Sequence, residues 1–250
     1  MASQIQLSLK RLLLGILLLL AQPTQAVIDN NTFSMATLEQ VPYGFKTSKG
    51  QIEGILFDIM NAIIIESGLK ASNQLLPPQR LIIELLKGSQ LCTLVANTPY
   101  AVQHFDLIEP VGLKLSAGIL PRKGIKLPNY ASLNNIIIAV PLGIFFDERF
   151  DNDHTLTKIR PLSYSNAIQM LKYKRVDAVA GAIESLRYIA KYDSLSVSDF
   201  APPLVLSNHK IYLTCYRDTP STVREAMRAA IITLKKSGEI QQIHKQYSTP

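Results

Sequence analysis

One arginine and a few neutral polar side chains carry the clearest binding chemistry in this sequence. Arg80 follows Pro77-Pro78 at the expected start of a helix, where the backbone N–H groups lack intrahelical partners. A guanidinium there could bind a carboxylate with two parallel hydrogen bonds. The alternative is an arginine that lies over the surface of its own helix. The arrangement favours noncovalent binding of a small molecule.

Neutral groups near the same corners would complete such a site. Tyr43 could form an aromatic wall against a ligand, and packing in the core or in a lid is the equal alternative. Gly143 would let the backbone approach an anion at a second helix start, and Phe145 would make that wall apolar. The candidates for neutral hydrogen bonds are Gln40, Thr37, Asn97 and Thr98.

The sequence lacks the residue spacings that metal and catalytic sites require. Its histidines are scattered, with no second histidine four residues on and no cysteine at a metal-binding distance. It has neither a Gly-x-Ser-x-Gly nucleophile motif nor a glycine-rich phosphate loop. We therefore expect a binding protein without a metal, a cofactor or catalytic residues.

Alternating apolar runs and helical patterns predict the elements that position these residues. A helix over 77–88 stops at Gly88, and the apolar run over 91–96 has the pattern of a strand buried on both faces. The later expected elements are strands over 115–120, 135–140, 176–180 and 211–216 and helices over 165–173, 184–190 and 221–236. This alternation predicts an α/β fold with mainly parallel strands, whose ligand would lie beyond their carboxyl ends.

The first 26 residues have the pattern of a cleavable export signal. Lys10-Arg11 precedes an apolar run over 12–20, and Thr24-Gln25-Ala26 provides a small-residue cleavage site after Ala26. An uncleaved anchor is the weaker alternative, because a bilayer span needs about 20 apolar residues. Removing this segment lowers the formal charge from +7 to +5. The basic clusters lack the interleaved aromatics of a nucleic-acid surface, so we expect no nucleic-acid partner.

Two cysteines, Cys92 and Cys215, do not form the framework of a disulfide-rich protein. Both fall in apolar runs that resemble strands, which favours buried free thiols. A bridge between them is the alternative in an oxidising compartment.

An ordered set of residues along the mature chain carries a family resemblance. Its members are Tyr43, Gly54, Asp58, Gly88, Thr98-Pro99, Asp106, Pro110, Gly143, Val176-Asp177-Ala178 and Gly238. The order resembles that of the bacterial periplasmic solute-binding proteins of family 3, the amino-acid receptors of ABC transporters. The resemblance extends over about residues 33–247.

The resemblance implies a fold, a location and a function. The fold would be the two-lobe, type II periplasmic binding protein fold, each lobe an open, mainly parallel sheet flanked by helices. Residues 27–120 and 208–250 would form lobe 1, and residues 121–207 would form lobe 2. The protein would be a periplasmic monomer that captures a small polar solute, amino-acid-like or an organic acid, by hinge closure. It would deliver that solute to a membrane ABC permease or receptor.

Two departures from the family pattern affect the expected ligand. Family receptors carry an arginine for the ligand carboxylate at the position of Ala101, and an aspartate for the ligand amine at the position of Ala182. A buried charge without its partner costs about 2–5 kcal/mol. Three explanations follow. The ligand differs from an ordinary amino acid, another residue such as Arg80 binds its carboxylate, or the protein no longer binds a ligand.

Two other function classes remain open at this point. A sensor or interaction module with a decayed ligand site would account for both alanines. A cyclohexadienyl dehydratase on the same scaffold would need a carboxylic acid in the cleft, and the candidates are Glu39, Glu109 and Glu184.

Overall fold

A computed structural model of the chain describes residues 32–142 and 147–247. The predicted export signal, with its cleavage site at Ala26, and the predicted site residues Gly143 and Phe145 lie outside these ranges. Within them, no helix combines the length and the apolar character that crossing a bilayer requires.

The strands of the described ranges alternate with helices for most of the chain. The strands are β1 Phe33–Leu38, β2 Phe45–Lys46, β3 Ile52–Glu53, β4 Ala71–Leu76, β5 Cys92–Ala96, β6 Asp106–Pro121, β7 Ile137–Ala139, β8 Thr157–Ile159, β9 Ala178–Ala182 and β10 Leu204–Cys215. The helices are α1 Ile55–Ser67, α2 Pro78–Leu86, α3 Pro99–His104, α4 Glu148–Asn152, α5 Tyr164–Lys172, α6 Ile183–Tyr192, α7 Ser221–Ser237 and α8 Glu239–Tyr247. Short 3₁₀ turns cover Tyr130–Asn135 and Val197–Asp199.

One eight-stranded sheet forms the centre of the fold, in the order β4-β1-β5-β10-β6-β9-β7-β8. Strands β4, β1 and β5 are parallel to one another, and so are β9, β7 and β8. Antiparallel pairs join these two parallel groups through β10 and β6. The prediction of an α/β fold with mainly parallel strands is confirmed, although the two groups share one continuous sheet. The predicted lobe boundaries stay a prediction.

The two linking strands are much longer than their apolar runs indicated. The sequence predicted strands over 115–120 and 211–216, whereas β6 has 16 residues and β10 has 12. They pair with each other along most of their length, through several register irregularities. Mutual pairing extends both strands into segments whose own patterns are mixed.

Separate hydrophobic clusters pack on the two ends of this sheet. The first core joins α1, α7 and α8 to the strands and includes Met35, Ile59 and Met227. Two far cores lie under α5–α6 and around the buried Phe150.

The two long strands supply side chains to the cores at both ends of the sheet. β6 contributes Val111 and Leu113 to the first core and Ile119 and Leu120 to the far cores. β10 divides in the same way, with Ile211 and Leu213 at one end and Leu204 and Leu206 at the other.

Proline, glycine and a threonine hydroxyl define the helices beside the sheet's carboxyl end. Pro78 occupies the first turn of α2, where its missing N–H costs nothing. The Thr98 hydroxyl caps α3 by accepting a hydrogen bond from the Ala101 N–H. Gly54 precedes α1 at φ 141°, and a Cβ there would collide with the Tyr43 backbone. The turn that carries Tyr43 is therefore packed tightly against the start of α1.

The favoured interpretation of the cysteines, as free thiols, was wrong. Cys92 and Cys215 lie directly opposite each other on the antiparallel pair β5 and β10, and their sulfur atoms form a disulfide. Both residues are fully buried in the first core. The pairing register of the two strands brought the cysteines together, and no local sequence pattern encodes that register.

Candidate functional site

A cavity of about 300 Å³ lies at the carboxyl ends of β1 and β5. Gln40 follows β1 and Thr98 follows β5, and both line the cavity. Helix α2 contributes Pro78 and Leu81, and α3 contributes Ala101. Ligands of open α/β sheets bind at such strand ends, so this cavity is the candidate site.

The wall of this cavity is mainly aliphatic and carries no formal charge among the residues that the structure describes. Its larger apolar side chains come from α2, from the residue that follows α3 and from the long strands, and they include Leu81, Ile82, Leu85, Phe105, Leu115 and Ile211. Its polar groups are the hydroxyl and amide groups of Gln40, Tyr43, Thr93, Thr98 and Tyr100. The site can thus bury apolar surface and form neutral hydrogen bonds.

Three of the predicted site residues, Gln40, Tyr43 and Thr98, meet at this cavity. Arg80 does not line it. The Arg80 side chain is 67% exposed, and its Nε lies 3.6 Å from Oε1 of Glu84 one turn further along α2. The expectation that Arg80 projects into the cleft was wrong, and the alternative of a surface arginine matches the structure. The signal was present in the sequence, because oppositely charged residues four apart on a helix attract.

Thr37 and Asn97 lie outside the cavity wall. Thr37 is fully buried in β1, and its hydroxyl donates to Oδ1 of Asn73 at 2.9 Å. The Asn73 amide in turn donates to Oδ1 of Asn61 at 3.0 Å, so Thr37 belongs to a network between β1, β4 and α1. Asn97 lies half-buried just after β5, and its Oδ1 has no hydrogen-bond partner among the described residues. Ligand binding by these two residues stays a prediction.

The first turn of α6 lies against two of the cavity residues. The Gln40 Nε2 donates to the Ser185 hydroxyl at 3.2 Å. Burial, followed by the nearby Glu184 carboxylate, raises the pKa of Tyr43 well above its usual value. Glu184 is also held from the other side, because Nε2 of His244 on α8 lies 3.1 Å from its Oε1. The Gln40 amide nitrogen and the Tyr43 side chain therefore lie close to the start of α6.

The pair of His244 and Glu184 predicts a pH-dependent contribution to stability. Hydrogen bonding to Glu184 raises the pKa of His244, against a smaller lowering by burial. A raised pKa in the folded state stabilises the protein below the unfolded-state pKa of about 6.5, and this contribution is lost as the pH rises through the folded-state pKa. Urea unfolding between about pH 6 and about pH 8 should show a steeper fall in stability for the natural protein than for Glu184→Gln. Identical pH profiles would contradict this.

A buried hydroxyl in the cavity wall provides a second prediction. Thr93 on β5 is fully buried, and its Oγ1 has no hydrogen-bond partner among the described residues. A buried polar group without a partner carries an uncompensated desolvation penalty. We expect Thr93→Val to raise the free energy of unfolding of the ligand-free protein by about 1 kcal/mol. Chemical denaturation measures this, with Thr93→Ser, which retains the hydroxyl, as the control that gains nothing.

Both positions at which family receptors carry ligand-binding charges are buried alanines. Ala101 is 5% exposed and packs with Leu85 and Phe105 beside the cavity. Ala182 is also 5% exposed, and its N–H donates to the Tyr164 hydroxyl at 3.2 Å. Sequence reasoning found these departures but missed the aliphatic wall around them.

The carboxylates considered for an enzyme do not line the cavity, although Glu184 lies beside the wall residue Tyr43. Glu39 is exposed, Glu109 pairs with Lys235 at 3.0 Å, and Glu184 is bound to His244. None of the three lines the cavity.

Comparison with known proteins places this geometry in context. The profile of the bacterial extracellular solute-binding proteins, family 3, matches residues 34–250. A search of curated protein sequences found no match.

Solved structures with the same fold cover nearly all of the described chain. A histidine kinase sensor domain with similarity to periplasmic binding proteins has a TM-score of 0.73 at 14% identity, over 87% of this chain and 96% of its own. The GluR0 ligand-binding core from Nostoc punctiforme, in complex with L-glutamate, has a TM-score of 0.71 at 18% identity, over 87% and 100%. A periplasmic binding protein of Salmonella typhimurium with high arginine specificity has a TM-score of 0.67 at 21% identity, over 87% and 100%. These likenesses confirm the predicted fold class, that of the type II periplasmic binding proteins.

Proposed function

Because the chain belongs to the bacterial extracellular solute-binding proteins of family 3, we propose that it captures a small solute in the periplasm and delivers it to an ABC transporter. Capture would use closure of the two predicted lobes around the cavity described above. The amino-acid-binding relatives make an amino-acid-like molecule or an organic acid the starting expectation for the solute.

The position of the cavity is the observation that carries this proposal. It lies beyond the carboxyl ends of β1 and β5, and the start of α6 reaches it through Gln40. Because α6 follows β9 at the far end of the sheet, both ends of the fold contribute to the surroundings of the cavity. This arrangement is what capture by closure requires.

The disulfide supports export to an oxidising compartment. Cys92 and Cys215 are bridged, and disulfides persist in the periplasm but are rare in the cytosol. The predicted signal, cleaved after Ala26, would direct the chain there.

A sensor domain that docks on a membrane receptor is the second candidate. The buried alanines at 101 and 182 favour it, because they remove the charges that hold amino acids in the family. The sensor domain of a histidine kinase with the same fold gives it a precedent in architecture alone. An enzyme has less support, because none of the three candidate carboxylates lines the cavity.

Native mass spectrometry of the freshly purified protein, followed by thermal shift with a broad library, tests the proposal. We expect either a small molecule that copurifies with the chain or at least one compound that raises Tm, because a ligand that binds only the folded state stabilises it. Small-angle scattering should show a more compact protein when that compound is added. Failure of every compound at millimolar concentration to raise Tm would contradict solute capture and favour a decayed site.

A further inference from the structure

We infer that the cavity selects an uncharged molecule with a mainly apolar body and one or two hydrogen-bonding groups, and excludes ordinary zwitterionic amino acids. This inference rests on the proposed function of solute capture and replaces the starting expectation of an amino acid or an organic acid with a neutral ligand. The cavity is the one at the carboxyl ends of β1 and β5. Ala101 is the residue that we hold responsible for excluding carboxylates from it.

The composition of the wall is the first step. Aliphatic and aromatic side chains from α2, α3, β6 and β10 surround a space of about 300 Å³, and no charged residue of the described ranges lines it. A carboxylate or ammonium group that enters such a space loses its hydration and finds no opposite charge. An apolar body of small-molecule size gains by the same burial.

Two charged groups on the helices beside the cavity already have partners elsewhere. Arg80 lies along α2 with Glu84, 67% exposed and outside the cavity wall. Glu184, at the start of α6, is bound to His244. A zwitterion that recruited either group would compete with its existing partner, which reduces the net gain from the new contact.

Ala101 fills the place where a carboxylate would otherwise be gripped. Its Cβ packs with Leu85 and Phe105, and its N–H donates a hydrogen bond to the Thr98 hydroxyl. The corresponding amine position, Ala182, is buried, and its own N–H donates to Tyr164. An amino-acid backbone held in the way the family pattern implies would therefore find no charged partner at either position.

The polar atoms that remain in the wall suit a neutral partner. The Thr98 hydroxyl accepts from the Ala101 N–H and keeps its own hydrogen to donate. Gln40 donates its amide to Ser185, which leaves its carbonyl oxygen as an acceptor. An amide or alcohol group can use one donor and one acceptor of this kind, without the cost of burying a charge.

Compounds that share one hydrocarbon body and differ in charge give the direct test. Phenylalanine, hydrocinnamate and hydrocinnamamide form one set, and leucine, isocaproate and isocaproamide form a second. Calorimetry and thermal shift on the purified full chain should show the amides binding at least about 10-fold more tightly than the matching zwitterions and carboxylates. Equal or tighter binding of the zwitterions would overturn the inference and leave solute capture intact. If no compound in these sets or in the broader library binds, the proposed function itself fails.

Two substitutions at position 101 distinguish the effect of a positive charge on binding from the effect of a larger side chain. Ala101→Arg and Ala101→Met both extend into the cavity, and only the first adds a charge. We expect both variants to lose amide binding, and only Ala101→Arg to gain binding of hydrocinnamate or isocaproate, by at least about 10-fold over Ala101→Met. Equal carboxylate binding by two folded variants would refute the role assigned to Ala101. The charge series on the natural protein decides the ligand class whether or not the variants fold.

Discussion

Loss of the disulfide between Cys92 and Cys215 is expected to lower the free energy of unfolding by about 4 kcal/mol and Tm by about 8–16 °C. The bridge closes a chain segment between residues 123 positions apart, and long closed segments restrict the unfolded chain most. Thermal unfolding of the oxidised protein, the reduced protein and Cys92→Ala/Cys215→Ala measures the effect. Both forms without the bridge should unfold at lower temperature.

Two controls separate the bridge from side effects of the substitutions. A phosphine reductant should lower Tm of the natural protein and leave the double variant unchanged. Alkylation in denaturant without reductant should leave both cysteines of the natural protein unmodified. Modification of two thiols per chain in that experiment would show that the cysteines are free.

Substitution of Gly118 by alanine is expected to destabilise the protein by about 3 kcal/mol, through a clash between backbones. Gly118 lies in β6 where this strand is paired with β10 on one side and β9 on the other. A Cβ there would overlap the Leu204 carbonyl oxygen and lie 2.9 Å from Cα of Val205. The clash is with backbone, so β6 and β10 would have to separate where they join the two parallel groups of strands.

Ser116→Ala, two residues earlier on the same strand, is the matched control. The Ser116 hydroxyl donates to Oδ1 of Asn208 at 2.7 Å on an exposed surface, so its loss should cost less than about 1 kcal/mol. Urea unfolding followed by circular dichroism compares the two variants. A Gly118→Ala protein as stable as Ser116→Ala would show that the strands tolerate the added methyl group.

Local chemistry was sufficient to predict the elements near the site. The helix over 77–88 follows from two prolines, a stripe of leucine and isoleucine, and Gly88, and the structure places α2 at Pro78–Leu86. The strand over 91–96 follows from continuous apolar character, and β5 covers Cys92–Ala96. In both cases the hydrophobic pattern and the residues that stop it lie within one short segment.

Features that depend on distant pairing could not be predicted in this way. β4 has the sequence Ala-Ser-Asn-Gln-Leu-Leu from Ala71 to Leu76, in which polar and apolar residues do not alternate, and its parallel pairing with β1 makes it a strand. The disulfide depends on the register of β5 against β10. The aliphatic cavity depends on Leu115 and Ile211, which come from distant segments and meet α2 only in the folded chain.

The long strands also bear on how the chain loses its structure on heating. β6 and β10 each supply side chains to the first core and to the far cores. Unfolding of one end of the sheet would therefore expose apolar side chains in the core at the other end. Two domains joined by a flexible linker would unfold in two separate calorimetric transitions. Here the shared strands favour a single cooperative transition, in which the calorimetric and van 't Hoff enthalpies agree. β6 and β10 would thus make one thermodynamic unit of a protein for which we propose solute capture by closure of two lobes.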